Sequence, residues 1–402
     1  MAITDKEQGV WNLDEAYNKI NQGGIWSYTG ISQFYMWGAA EYGSQDRNES
    51  GTNPSNRPRK SSPAQIAGTT WQTEFYNSPS QAWTSILSKT DGTLWGFGKA
   101  QDWGQIGKNN RIDYSSPVQI GTNTNWRAGA GGREFSFAIK TDGTLWTWGT
   151  PAYGAQGHNN TTTKSSPTQV PGTWDNAWGY HENMLAIKTD GTLWGWGRGA
   201  GGELGQNAPD TNYSSPIQIM SDKTFARCGS GANYGAMGAI TTSGELYTWG
   251  WNPDGCVGNN THASPNYAGT SSPVQIPGTN WQYFQACGPS TLAQKTDGTL
   301  WGWGGNGCML GQNSTTKISS PVQIGTETTW NRMSGSPGNT IATKTDGTLW
   351  RIGGNGSGSL GQNQSPSERG SVSSPIQVGT ETGWQTVNVT GENSTMVATK
   401  VV

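Results

Sequence analysis

The sequence predicts an all-β protein: a seven-bladed β-propeller of four-stranded blades, with N- and C-terminal strands closing the ring in one composite blade. Three recurring features carry that expectation. Ser-Ser-Pro occurs seven times, with its proline at Pro63, Pro117, Pro167, Pro216, Pro273, Pro321 and Pro375, at a mean spacing of 52 residues. Thr-Asp-Gly-Thr-Leu-Trp occurs at Thr90–Trp95, Thr141–Trp146, Thr189–Trp194, Thr296–Trp301 and Thr345–Trp350, and the variant Thr242–Tyr247 fills the missing place. An aromatic follows each proline by seven to nine residues, at Trp71, Trp126, Trp174, Phe225, Trp281, Trp330 and Trp384. Short strands repeating with a period near 50 residues are the mark of a propeller.

Within a unit, each strand has its own local reason. Ser136-Phe137-Ala138-Ile139-Lys140 and Leu145-Trp146-Thr147-Trp148 flank Asp142-Gly143. That pair reads as a two-residue type I′ hairpin turn, because Asp-Gly accepts positive φ. A glycine-rich loop follows, as in Gly202-Glu203-Leu204-Gly205-Gln206-Asn207. Ser-Ser-Pro-Val-Gln-Ile then reads as a short strand with proline at its start, where a missing N–H does little harm. Helical periodicity is absent from the repeats.

The outermost repeats predict how the ring closes. The last repeat runs from Trp384 through Thr395-Met396-Val397-Ala398-Thr399-Lys400 and stops where its turn is due. The first begins at the other half, Phe34-Tyr35-Met36-Trp37-Gly38. Joined, they make one blade, which removes two exposed sheet edges. The predicted domains are an N-terminal arm over 1–29 and the propeller over 30–402.

Composition narrows the function. Lys and Arg total 25 against 27 Asp and Glu, a net charge of -2 with 13% charged residues. That balance argues against a protein built to grip nucleic acid. No apolar run approaches the length of a membrane span, so no membrane insertion is expected. The leader Met1–Glu7 has neither a basic nor an apolar stretch, so no secretory signal is expected and synthesis would end in the cytoplasm of the producing cell.

Chemistry is sparse. His158, His181 and His262 sit in loops of different repeats and read as solvated. Cys228, Cys256, Cys287 and Cys308 show no Cys-x-x-Cys pair and read as buried core thiols. Gly197–Gly202 satisfies a dinucleotide-type glycine pattern, but no helix follows to meet a pyrophosphate. Asp91, Asp142, Asp190, Asp297 and Asp346 read as turn residues rather than a chelating ring. No catalytic residue, metal site or cofactor is predicted.

Tryptophan supplies the remaining candidates. Trp95, Trp146, Trp194, Trp301 and Trp350 recur at one place in the repeat, and Trp148, Trp196, Trp249 and Trp303 at another, as packing between blades requires. Trp83, Trp103, Trp178 and Trp251 do not recur. Trp103 and Trp251 fall in loops after the aromatic strand and are the predicted rim-loop binding residues, suited to a sugar ring or a partner's pocket. Three loop insertions, 39–60, 252–270 and 362–372, add further rim sequence.

In the arm, Asn12–Ile20 reads as a short helix capped by Asn12, with Leu13, Tyr17 and Ile20 on one face. Nine residues do not hold a helix alone, so this face needs something to pack on: the propeller itself or a larger assembly. Trp11, Leu13, Tyr17 and Ile20 are the candidate assembly anchor.

Gly-Thr-Leu-Trp-Gly-Trp-Gly followed by Gly-Glu-Leu-Gly-Gln-Asn resembles the repeat of the regulator of chromosome condensation family. The resemblance spans about residues 30–402 and implies a seven-bladed propeller. The family's founding member is a nucleotide-exchange factor that docks on chromatin. This chain lacks a basic tail, its one basic cluster is Arg57-Pro58-Arg59-Lys60, and the places where family repeats often carry histidine read Glu134-Phe135-Ser136 or Gly338-Asn339-Thr340. The Asn-, Thr- and Gly-rich loops are more similar to repeat proteins of bacteria and their viruses. The leader, Thr4–Trp11 through Gly24–Tyr28, resembles leaders on structural proteins of tailed marine bacteriophages.

The resulting expectation is a non-enzymatic structural protein of a phage particle, in tail, neck or fibre. Its partners would be other virion proteins and a host surface protein or glycan, in a multi-copy assembly. The rival readings are a bacterial protein- or glycan-binding propeller and, after it, a GTPase exchange factor.

Overall fold

A computed structural model of the chain describes residues 32–39, 59–66, 70–72, 84–131, 134–180, 182–208, 210–230, 235–261, 269–306, 310–312, 314, 316–336, 338–355, 360–363, 371–390 and 395–401. They form seven antiparallel sheets arranged as the blades of a propeller. Blade 4 is typical. Trp174–Tyr180 pairs with Asn183–Lys188, then Leu193–Gly197, then Tyr213–Ile219 at the outer edge. Blades 3, 5, 6 and 7 repeat this order within 126–170, 225–276, 281–323 and 330–377. In blade 2 the sheet comprises Thr84–Ser88, Leu94–Gly98 and Tyr114–Gln119, and a single bridge from Trp71 to Lys89 marks its inner edge.

Blade 1 is the composite. Trp384–Thr390 and Thr395–Val401 supply its inner strands, and Ser32–Ala39 and Arg59–Gln65 its outer ones. Six consecutive pairs run from Ser32 opposite Val401 to Trp37 opposite Met396. The predicted closure is therefore present, as a seam of backbone hydrogen bonds between strands more than 350 residues apart in sequence.

The core lies between blades rather than within them. Each of seven apolar clusters joins two neighbours. Phe135, Phe137 and Ile139 of blade 3 meet Trp174, Met184 and Trp196 of blade 4, all nearly fully buried. Stacking buries both faces of a blade, so its two inner strands can read as continuously buried rather than alternating. Phe135–Lys140 is buried at all six positions. Trp178 belongs to the core between blades 4 and 5.

Two local expectations are corrected. The Asp-Gly turns are not two-residue type I′ hairpins. Gly143 N–H donates to Lys140 O at 3.0 Å, Lys140 N–H donates to Thr144 O, and within this loop only Gly143 has positive φ. The loop is three residues long, Thr141-Asp142-Gly143: a type I turn completed by a left-handed glycine. The Ser-Ser-Pro proline is also not at a strand's start. Pro216 is the fourth of seven residues in Tyr213–Ile219. The strand is an outer edge, and a register shift opposite Gly195 and Gly197 leaves the proline outside the ladder, so its missing N–H costs no bond.

Candidate functional site

The propeller has two faces. One carries the Asp-Gly turns and the connectors between blades. The other carries the hairpins between the two inner strands and the long loops before each outer strand.

On the turn face, one constellation recurs in blades 2, 3, 4, 6 and 7. Asp142 Oδ1 accepts the Thr144 N–H at 2.9 Å and the Thr144 hydroxyl at 2.7 Å, and Thr144 Oγ1 accepts Trp146 Nε1–H at 2.9 Å. The same three bonds tie Asp91, Asp190, Asp297 and Asp346 to their own threonine and tryptophan. These bonds, above all the threonine hydroxyl's, lower each carboxyl below its ordinary range. The lysine before each turn lies between two indoles: Lys140 Nζ is 4.8 Å from the Trp126 ring and 4.4 Å from the Trp146 ring. Each of these side-chain contacts stays within its own blade. The turn aspartates are structural, as expected, and the lysine's part in holding two tryptophans was not anticipated.

On the loop face, the long loops of blades 2, 3, 4, 5 and 7 are clasped to the next blade. Asn109, Asn159, Asn207 and Asn260 all have positive φ and donate their N–H to Ser165, Ser214, Ser271 and Ser319 of the following Ser-Ser-Pro strand, at 2.7–2.8 Å. The second tryptophan of the next blade completes the joint: Trp148 Nε1–H donates to Gln105 O at 2.7 Å, Trp196 to Ala155 O at 2.9 Å and Trp249 to Glu203 O at 2.7 Å. The recurring tryptophans thus hold blade to blade, as the sequence implied.

The loops also bring together side chains from blades 3, 4 and 5. Tyr153 is 47% exposed, and the Arg198 guanidinium lies over its ring at 5.6 Å. Arg198 pairs with Glu182 at 3.0 Å. Glu203, only 5% exposed, accepts the Gly201 N–H at 2.6 Å. Trp251 closes the far side: a Cβ built on Gly201 would stand 3.0 Å from Glu203 Oε1 and 3.3 Å from Trp251 Cδ1. Burial raises the Glu203 carboxyl above its ordinary range; the Glu203 and Gly201 N–H groups and the Arg198 charge oppose this, and Glu182 adds to it. Tyrosine, arginine and tryptophan around a shielded carboxylate form a mixed aromatic and polar patch suited to recognition.

Trp251 was predicted in such a role and lies half-buried in this patch. Trp103 is half-buried in the loop of blade 2 and immediately precedes Gly104, as Tyr153 precedes Gly154. Both glycines have positive φ and face the serine of the next blade, so the two aromatics hold equivalent places. Loops one residue different in length hid this equivalence, and Tyr153 was overlooked. His158 is not a solvated histidine: it is half-buried, and its Nε2 is 2.9 Å from Thr147 Oγ1. Burial lowers its pKa, which favours the neutral ring. Cys228, Cys256 and Cys287 are buried, as expected. Among the described residues no three His, Cys, Asp or Glu side chains converge as metal ligands, and no helix is long and apolar enough to cross a membrane. Trp11, Leu13, Tyr17, Ile20, Trp83, His181, His262, Cys308 and most of the three loop insertions lie outside the described residues.

The family profile described as the regulator of chromosome condensation (RCC1) repeat matches residues 190–237 and 243–290. Each match runs from the turn of one blade across its outer strands to the inner strands of the next. Residues 190–290 thus carry two RCC1-type repeats. In fold the chain is similar to human WBSCR16, at 18% identity over 92% of this chain and 98% of that one, with a TM-score of 0.74. It is similar to yeast RCC1 (Prp20), solved bound to Kap60, at 14% identity over 100% and 95% of the two chains and a TM-score of 0.74. A second structure of Prp20p from Saccharomyces cerevisiae, described with its binding properties to Gsp1p and histones, matches at 15% identity over 98% and 96%, with a TM-score of 0.71. At these identities the likeness is one of fold.

Proposed function

We propose that this RCC1-type propeller is a non-enzymatic protein-interaction module that binds its partner through the loop face of blades 3 to 5, and that it serves as a structural component of a bacteriophage particle. The observation that carries the interaction reading is the patch of Tyr153, Arg198 and Trp251. It joins the residue types that dominate interface energetics, on loops clasped to a rigid ring. Binding there costs little ordering, because the neighbouring loop ends are already bonded to the next blade. The solved propellers of this type include one in complex with a protein, Kap60. The virion reading rests on the leader's resemblance to phage structural proteins, and places residues 1–29 as the anchor.

The test is retention on purified particles after removal of loosely bound protein, for the full chain, a chain lacking 1–29, and the full chain carrying Tyr153→Ala with Trp251→Ala. Retention of the full chain and loss of both variants is the expected result. Absence of the full chain from particles overturns the virion reading. Equal retention of the double variant removes the loop patch from the contact.

A further inference from the structure

Arg351 breaks the repeat. It lies in the third strand of blade 7, Leu349–Gly353, where the other blades carry Gly96, Thr147, Gly195, Thr248, Gly302 and, in the composite blade, Met36. Its side chain is wholly buried. Nη2 donates to Asn339 Oδ1 at 2.7 Å, while Nε and Nη1 have no hydrogen-bond partner among the described residues. No ion pair among the described residues involves it. A guanidinium stripped of water and left without a counter-charge costs several kcal/mol.

Strand register shows where these donors point. Paired residues on neighbouring strands project to the same side of a sheet. Arg351 is opposite Ile341, Asn339 is opposite Ser336, and Ile341 is opposite Ser334. Arg351, Asn339, Ser336 and Ser334 therefore share one side of blade 7. That side faces the composite blade, because Ser334 Oγ donates to Asn388 Oδ1 at 3.0 Å and accepts the Val389 N–H at 2.9 Å. Ser336 is buried as well, and its hydroxyl also has no partner among the described residues. The interface between blade 7 and the composite blade thus holds a buried cation with two unused donors and, two residues along from Ser334, a third.

We propose that Arg351, Asn339 and Ser336 form a buried site for a small tetrahedral oxyanion of the phosphate or sulfate class, held between blade 7 and the composite blade. Such an ion supplies the missing counter-charge and presents oxygens in several directions, as donors on two sides of a guanidinium and a serine hydroxyl require. Asn339 fixes the guanidinium through Nη2 and leaves the other two nitrogens for the ion. A planar carboxylate offers only two oxygens in one plane and serves fewer of these donors. Because the ion sits between blade 7 and the composite blade, it would stabilise their packing.

The experiment follows thermal unfolding of the full chain, refolded from urea into phosphate-free buffer, across separate titrations with phosphate and with sulfate at constant ionic strength. The comparison variants are Arg351→Thr, the residue type blades 3 and 5 carry at this place, and Ser336→Ala, which keeps the cation. A saturable rise in Tm of about 3–5 °C is expected for the native chain at roughly a hundredfold excess over Kd. Ser336→Ala should need about tenfold more ion, and Arg351→Thr should show no saturable response. Native mass spectrometry of the phosphate-refolded chain should show one bound ion, which Arg351→Thr lacks. Equal responses in the native chain and Arg351→Thr overturn the proposal as a general salt effect. No response in the native chain, with no bound mass, overturns it too, and assigns the guanidinium to groups of the chain itself. If Arg351→Thr fails to fold, an unchanged response in Ser336→Ala overturns the site as described.

Discussion

Asn363 donates its backbone N–H to Ser61 O at 2.8 Å, and the Ser61 hydroxyl returns a contact to Asn363 Oδ1 at 3.4 Å, across 302 residues of sequence. This is the clasp that joins the long loops of blades 2 to 5 to the next Ser-Ser-Pro strand, used here between blade 7 and the composite blade. Asn363 adopts φ 53°, which asparagine tolerates and most residues do not. Asn363→Ala should lower stability by about 1 kcal/mol, while Asn363→Gly, free to take the same φ, should stay within a few tenths. Urea denaturation of the two variants reads the difference; equal losses would show that the backbone angle is not what the asparagine supplies.

The joint between Gly107 and Trp148 should be less forgiving. A Cβ on Gly107 would stand 2.8 Å from Trp148 Nε1, at a φ of +84°. Gly107→Ala is expected to cost more than about 1 kcal/mol through combined strain and clash. Trp148→Phe should cost about 1 kcal/mol, because Gln105 O loses one of its two buried donors and keeps the Ser136 hydroxyl. Thermal unfolding measures both.

Acid should loosen the turn face. The five turn carboxyls have folded pKa values below their ordinary 3.8, held down chiefly by the threonine hydroxyls. The unfolded chain therefore binds protons first, and this stabilisation, present above about pH 4, is lost as pH falls through the folded values. Tm should drop below pH 4, and Asp142→Ala should flatten part of that drop while costing little at pH 7, since the turn is exposed.

Glu203 should behave in the opposite sense. Its folded pKa lies above the ordinary 4.5, so the folded state holds its proton longer and stability declines as pH rises through the folded value. Glu203→Gln keeps an acceptor for the Gly201 N–H and removes the charge. The variant should gain stability relative to the native chain as pH rises above 4.5 and match it below. A parallel pair of Tm-against-pH curves would show that the buried carboxylate is fully neutralised by Arg198.

The thiols should be silent in the folded protein. Burial pushes Cys256 up to about 12 and pushes Cys228 and Cys287 up as well. Maleimide labelling at pH 7, read by peptide mass mapping, should spare all three in the native chain and modify them in urea.

Blade number and composite closure were legible because their signals are local and periodic: Asp-Gly turns, Ser-Ser-Pro strands and a leading tryptophan recur whatever surrounds them. The structural part of the tryptophans was legible for the same reason. The turn geometry was misread because Asp-Gly suits both the two-residue hairpin and the three-residue loop with a left-handed glycine, and the bonding of Lys140 and Thr144 decides between them. Asn207 and Ser271 are each visible as motif residues, but the bond between them crosses from one blade to the next. Tyr153 was missed because its loop is one residue shorter than that of Trp103.

By itself, the sequence determined a ring of seven repeats sharing one blade between its two ends, since repetition of turn and strand signals needs no knowledge of distant contacts. Tertiary structure alone decided which loop residues meet: Tyr153, Arg198 and Trp251 belong to three different repeats and become neighbours only when stacking brings their loops to one face. It alone also exposed Arg351 as a buried cation with no ion pair among the described residues, because the cost of burial depends on what the neighbouring blade places opposite it.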